Sequence, residues 1–191
     1  MIEVPATAVT DPSWLSAQLS LSAKRYPLGD QVTLGVLWWY SASTVLLGPF
    51  VDGKDPSLRA ITLLLEADGR VLDARSPARH GDPVSGVRDM LTAAITSVSK
   101  VSGARARQLW AITTDSLANR LLWAGRPETA VDVAAAIGPE LPRPRYVEVN
   151  GRQFVRRGSC CLIFQGVTTP KCTSCPRQTP ETRLNRLNAI I

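Results

Sequence analysis

The sequence predicts an α+β protein: a helix-rich body with a β-hairpin, then a C-terminal hairpin and a cysteine loop. Three observations carry that expectation. Apolar residues recur at helical spacing through much of the first 137 positions, short apolar runs flank an Asp-Gly and an Asn-Gly turn, and all four cysteines of the 191-residue chain lie between Cys160 and Cys175. Hydrophobic residues make up 45% of the chain and charged residues 20%, as in an ordinary globular domain. The length suffices for one full core, or for one core with a small appendage.

The first helix is expected over 11–26. Asp11 is placed to cap it, and Pro12 suits a first helical position because the N–H it lacks would go unused there. Pro27-Leu28-Gly29-Asp30 breaks the chain. Residues 31–47 are apolar or small throughout, with Trp38-Trp39-Tyr40 near the centre. Periodicity is silent in such a run, but its length is too great for a typical strand. A helix buried on most sides is expected, stopped by Gly48-Pro49. After a loop, residues 60–65 and 71–74 flank Glu66-Ala67-Asp68-Gly69-Arg70 and read as a hairpin.

Three further helices are expected over 84–101, 104–124 and 127–137. The middle one carries Leu109, Ile112, Ser116, Leu117, Leu121 and Trp123, a stripe that must pack on something. Pro127 suits the opening turn of the third. Gly138-Pro139-Glu140-Leu141-Pro142-Arg143-Pro144 is a stiff connector. It suggests a boundary between a body, residues 1–143, expected to bind substrate, and a C-terminal segment, residues 144–191. That segment opens with Tyr146–Val149, Asn150-Gly151 and Arg152–Val155, the strongest short hairpin signal in the chain. From Thr179 a short final helix is expected.

Charge divides along the same line. From Gly151 onward Arg152, Arg156, Arg157, Lys171, Arg177, Arg183 and Arg186 face one acid, Glu181. The totals of 22 basic and 16 acidic residues then leave 15 of each for the first 150, so the whole excess of +6 lies around the cysteines. No run of roughly 20 apolar residues suggests a membrane span. The N-terminus lacks the basic and apolar regions of a secretory signal. A cytoplasmic chain keeps its thiols reduced, which turns the four cysteines from disulfides toward metal.

The cysteines read Cys160-Cys161, ten residues, Cys172-Thr173-Ser174-Cys175, then Pro176. Four thiolates are the ligand set of a [2Fe–2S] cluster, two per iron. A Cys-x-x-Cys turn lets two thiolates converge on one metal while loop amides point at the sulfurs. Adjacent cysteines in an extended strand face opposite ways, so Cys160 and Cys161 can reach one cluster only if the backbone turns, for which Gly158 offers freedom. The spacing does not say which two share an iron. Structural zinc usually shows two Cys-x-x-Cys knuckles and this chain has one. A vicinal disulfide would be strained, and a thioredoxin-type Cys-x-x-Cys would not need the other two thiols. A Rieske centre needs two histidines, and only His80 is present.

Cys160-Cys161, ten residues and Cys172-x-x-Cys175, preceded by Arg156-Arg157-Gly158-Ser159 at the C-terminus, resembles the ferric-iron reductase family typified by ferric-hydroxamate (ferrioxamine-type) siderophore reductases. The Trp38–Thr44 stretch resembles actinobacterial members more loosely. The motif covers about the last forty residues; the rest resembles the family in length and element order. The resemblance implies a cytoplasmic [2Fe–2S] protein that reduces siderophore-bound iron(III). The chemistry is coherent: hard oxygen donors hold iron(III) far better than iron(II), so one electron loosens the metal without destroying the chelator.

No dinucleotide-binding glycine motif follows a strand, so electrons are expected from a separate donor such as a ferredoxin. Arg156, Arg157, Lys171 and Arg177 flank the cysteines and are candidates to steer an acidic donor or an anionic chelate, or to favour the more negative, reduced cluster. No reader motif accompanies them, so nucleic acid is not an expected partner. His80 is expected to be a solvated loop residue, and the Trp38-Trp39-Tyr40 group to be core. A non-enzymatic electron carrier and a zinc-stabilised binding domain remain as alternatives.

Overall fold

The computed structural model describes residues 1–78 and 81–190; His80 lies outside them. The fold is α+β, with helices around two small antiparallel sheets. The hairpin of the body forms as β2 (Thr62–Leu65) and β3 (Val71–Arg75), with a bulge between Leu64 and Leu65. A third strand, β1 (Ile2–Pro5), pairs antiparallel on the other side of β2, Ile2 opposite Leu65 and Pro5 opposite Thr62. No sequence signal announces β1. Four residues ending in proline give too little alternation to read, and an edge strand is where proline is tolerated.

Helix α1 (Pro12–Arg25) starts as expected: the Asp11 carboxylate accepts from the N–H groups of Ser13 (2.8 Å) and Trp14 (3.4 Å). Helix α2 (Gln31–Leu46) is capped by Asp30, whose carboxylate accepts from the Thr33 N–H. Gly48-Pro49 does not stop the helical path; it opens one further turn, α3 (Gly48–Val51), because proline at a first helical position removes no needed donor. The combined stretch Gln31–Val51 is long and apolar enough to cross a membrane by length and composition, contrary to the expectation from the sequence. In the fold 78% of its most apolar window is buried inside the protein, as for a core helix.

Helices α4 (Pro83–Ser102), α5 (Ala106–Trp123) and α6 (Ala130–Ile137) complete the body, α6 being entered through a 3₁₀ turn at Pro127–Thr129. α2 packs on α1, α4 and α5. Its contact with α5 is a buried polar seam. Trp39 Nε1 donates to the Leu109 carbonyl (3.0 Å) and Thr113 Oγ1 (3.1 Å), Ser43 and Ser116 share a hydrogen bond (2.8 Å), and Arg120 Nε donates to the Thr44 carbonyl (2.6 Å). Each buried polar group here has a partner, so the seam sets the register of the two helices. Trp38 and Trp39 are core, as expected, whereas Tyr40 emerges at the surface. Trp123 departs from the expectation. At the end of α5 it is 67% exposed, because the stripe rotates off the core in the last turn.

The approach of α2 to α4 depends on Gly35. A Cβ there would sit 2.3 Å from both Cβ and Oγ of buried Ser102. Gly35→Ala is expected to lose about 1–3 kcal/mol despite alanine's better helix propensity. A urea melt checks this; a midpoint equal to the parent's would show that the helices part freely.

The C-terminal hairpin forms as β4 (Tyr146–Val149) and β5 (Arg152–Val155), with Asn150 (φ 49°) and Gly151 (φ 74°) both left-handed, as a tight primed turn requires. β5 lies against α5, and Tyr146 donates its hydroxyl to the Ala118 carbonyl (3.0 Å). A short turn α7 (Ile163–Gly166) follows the first cysteine pair and packs on α2. The final helix α8 (Pro180–Asn188) is capped by Thr179, which accepts from the Thr182 N–H.

Candidate functional site

Three elements bring the cysteines together. β5 runs into Arg156-Arg157-Gly158-Ser159, and this bend is pinned by an α5 residue that the sequence analysis missed. Asp115, buried, accepts from the N–H of Gly158 (2.9 Å) and of Ser159 (3.1 Å), with Arg157 Nε 3.6 Å away. The available signal was an acid three residues after Ile112, on the face of α5 that carries the apolar stripe. Gly158 has no left-handed φ; it contributes the N–H that Asp115 holds. The backbone turns instead at Leu162 (φ 62°, ψ 14°), a conformation that side-chain-bearing residues adopt at a cost. That turn redirects the chain after Cys161 and aims the Leu162 N–H at Cys160 Sγ (3.5 Å).

The second pair sits in a turn closed by Cys175 N–H to the Cys172 carbonyl (3.0 Å). Gln178 Nε2 donates to the carbonyls of Cys172 (2.8 Å) and Thr173 (3.2 Å). Arg186 of α8 donates to the Lys171 carbonyl (2.6 Å) and to Gln178 Oε1 (2.7 Å). The tail helix therefore braces the cysteine turn from outside.

All four cysteines are free thiols; Cys160, Cys161 and Cys175 are buried and Cys172 is half-buried. They meet across the two segments, where the spacing had left the matching open. Cys160 Sγ lies 3.6 Å from Cys175 Sγ. Cys161 and Cys172 interact with one another and share Arg157 Nη1, at 3.9 and 3.3 Å. The sulfurs of the Cys-x-x-Cys turn thus go to different partners, because Cys175 points into the core while Cys172 turns toward the guanidinium. Among the described residues no group of three or more His, Cys, Asp or Glu side chains has the arrangement that would hold a single metal ion.

The electrostatics follow from burial and one cation. A hydrogen bond from Cys172, helped by the Ile163 N–H and Arg157, lowers the Cys161 thiol to about 5. The same bond, with burial, pushes Cys172 up, and burial pushes Cys160 up. Arg157 is 5% exposed and lies 4.7 Å over the ring of Tyr40. Burial alone would lower its pKa; the ionisable groups around it, the Tyr40 hydroxyl, the Cys161 and Cys172 thiols and the Asp115 carboxyl, raise it, so it stays protonated. Its Nε and Nη2 make no hydrogen bond within the protein.

The flanking cations diverge. Arg157 is inside the site and has no open surface from which to steer a partner. Lys171 and Arg177 sit together over Phe164, Lys171 Nζ donating to the Arg177 carbonyl (3.0 Å), and Arg156 and Arg177 are exposed. An open cleft of about 520 Å³ lies between the body and the C-terminal segment. Tyr26, Tyr40, Trp123 and Phe154 give it aromatic walls, Cys161 and Arg157 reach it, and among the described residues no acid lines it.

By donor chemistry, four free thiols at one place are a set that an iron–sulfur cluster could take. Thiolates are the ligands such a cluster takes. A sulfur–sulfur approach of 3.6 Å is close to the ~3.7 Å edge of a tetrahedral metal–thiolate site with bonds of about 2.3 Å. Arg157 Nη2, without a hydrogen bond among the described residues, is a donor that cluster sulfur could accept from. In comparisons with known proteins, no family model matches the chain and no curated protein matches it.

Proposed function

We propose that this chain is a cytoplasmic ferric-siderophore reductase: the four thiols hold a [2Fe–2S] cluster, and the cleft beside Cys161 receives the chelate for one-electron reduction of its iron(III). The observation that carries this reading is the gathering of four free thiols, a buried guanidinium and an acid-free cleft at one place. When bound, such a cluster supplies electrons one at a time, as the release of iron(II) requires.

The chain's own residues have distinct parts in this reading. Cys160, Cys161, Cys172 and Cys175 hold the cluster. Arg157, fixed by Asp115 below and Tyr40 above, offsets the negative charge that reduction adds. Tyr40 and the exposed Trp123 offer apolar faces to a bulky chelate, and the cleft is open enough to admit one. The exposed Arg156 and Arg177, with the half-buried Lys171, are the cations offered to an acidic electron donor such as a ferredoxin.

The test is anaerobic purification, iron and sulfide analysis, and single-turnover oxidation of the chemically reduced protein by ferric siderophores. A reddish-brown protein reoxidised by the chelate with release of iron(II) is the expected result. A colourless zinc protein would sink the reading. Reoxidation by an electron-transfer protein but by no ferric chelate would leave an electron carrier. Trp123→Ala is expected to raise the half-saturating chelate concentration about tenfold, equivalent to ~1.4 kcal/mol, without changing iron content. An unchanged concentration dependence would move the chelate elsewhere.

A further inference from the structure

We propose that the four cysteines work as two cross-matched pairs, Cys160 with Cys175 and Cys161 with Cys172, each pair holding one iron, with the Cys161–Cys172 iron facing Arg157 and the cleft. The assignment of irons rests on the cluster reading above; the pairing of thiols does not.

The spacing leaves the matching open. Cys172 and Cys175 form a Cys-x-x-Cys turn of the kind that chelates one metal, and Cys160 and Cys161 are neighbours. The fold divides them differently. Leu162 in the left-handed region turns the chain directly after Cys161, and the two adjacent thiols find different partners. Cys160 Sγ faces Cys175 Sγ at 3.6 Å, both buried, which is the spacing of two sulfurs on one tetrahedral metal. Cys161 and Cys172 meet across Arg157 Nη1. Only this second pair touches the guanidinium, and Cys161 is the cysteine that lines the cleft.

The two irons are therefore inequivalent. A positive charge beside one pair favours the added electron on that pair's iron, since the reduced centre is the more negative. An iron held by Cys161 and Cys172 would lie on the side of Arg157 and of the cleft that Cys161 lines.

The pairing is tested without any metal. Four full-length double variants leave two thiols each: C161S/C172S and C160S/C175S keep the proposed pairs, C160S/C172S and C161S/C175S keep crossed ones. Each metal-free protein is treated with diamide, which takes two electrons and two protons as one sulfur–sulfur bond forms. Loss of free thiol is followed in native buffer and in urea. The proposed pairs are expected to close at least tenfold faster than the crossed pairs in buffer, with the preference lost in urea. Equal rates in buffer, or faster closure of the crossed pairs, would overturn the pairing.

The second arm uses the iron-loaded parent, Arg157→Gln and Arg157→Lys. Arg157→Gln is expected to cut the reduced-to-oxidised ratio at fixed ambient potential at least tenfold, a shift of 59 mV for one electron. Arg157→Lys is expected to fall between the two. An unchanged potential in loaded Arg157→Gln would overturn the placement of the reducible iron beside Arg157. Protein that never takes up iron and sulfide would instead refute the cluster reading, while the diamide rates would still decide the thiol pairing.

Discussion

Replacing any one of Cys160, Cys161, Cys172 or Cys175 with Ser is expected to strip the protein of its cluster or leave it severely depleted. All four thiolates are needed, two per iron, and the chain has no fifth cysteine to substitute. The hydroxyl of serine is a far weaker acid than a thiol and a harder donor, so it does not replace a thiolate on a sulfide-bridged iron. The surroundings give little room for rescue: Cys160 and Cys175 are buried against each other, and each of the other two is held at Arg157. Iron and acid-labile sulfide per chain, with the visible spectrum, are the measurements. One serine variant with full iron and sulfide and an unaltered spectrum would show that its cysteine is not a ligand. Far-ultraviolet circular dichroism on the same samples separates loss of the cluster from loss of the fold, since the seam between α2 and α5 lies outside the cysteine loop.

Asp115→Ala is expected to cost about 3–5 kcal/mol, the penalty for leaving a buried charge without its partner. The substitution removes the acceptor for the N–H groups of Gly158 and Ser159 and the carboxylate beside Arg157 in one step. Burial pushes the Asp115 carboxyl above the ordinary carboxylate range, and its two N–H donors and Arg157 pull it back. The remaining Arg157 would then keep the Cys161 and Cys172 sulfurs and the Tyr40 ring beside it, without a carboxylate. Asp115→Asn keeps an oxygen for one N–H but loses the charge, so a smaller loss is expected. Urea unfolding gives the magnitudes, and hydrogen exchange at Gly158 and Ser159 locates them. If Asp115→Ala unfolded at the parent's urea midpoint with both amides still protected, Asp115 would have no part in building the site.

Both predictions concern one bend, and that bend shows where sequence reasoning ended. The helices were legible because their signals are local. Asp11 with Pro12 and Thr179 act within a turn of themselves, and the start of α1 and the tail helix emerged close to the residues expected. Asn150-Gly151 specified its hairpin for the same reason, since both residues tolerate the left-handed conformation that the turn requires. Strand β1 was not legible. Four residues at an edge owe their state to pairing with β2, some sixty positions away.

The four cysteines, their spacing and the basic surplus around them are facts of the chain, and they suffice to direct attention to thiolate chemistry. Which sulfur meets which is decided by long-range contacts. Asp115 on α5 holds the backbone ahead of Cys160, Leu162 turns it after Cys161, and α8 braces the second turn through Arg186 and Gln178. Arg157 reads in sequence as one surface cation among several. It is buried because Asp115 sets a carboxylate beside it, Tyr40 lays an aromatic face over it and two cysteine sulfurs lie against it, and only packing assembles those groups. Trp123 reads as core because it continues a stripe, yet the body ends one turn too soon to cover it. Spacing along a chain records only neighbours within a turn or two, whereas the matching of thiols, the burial of a cation and the opening of a cleft arise between segments that the sequence keeps far apart.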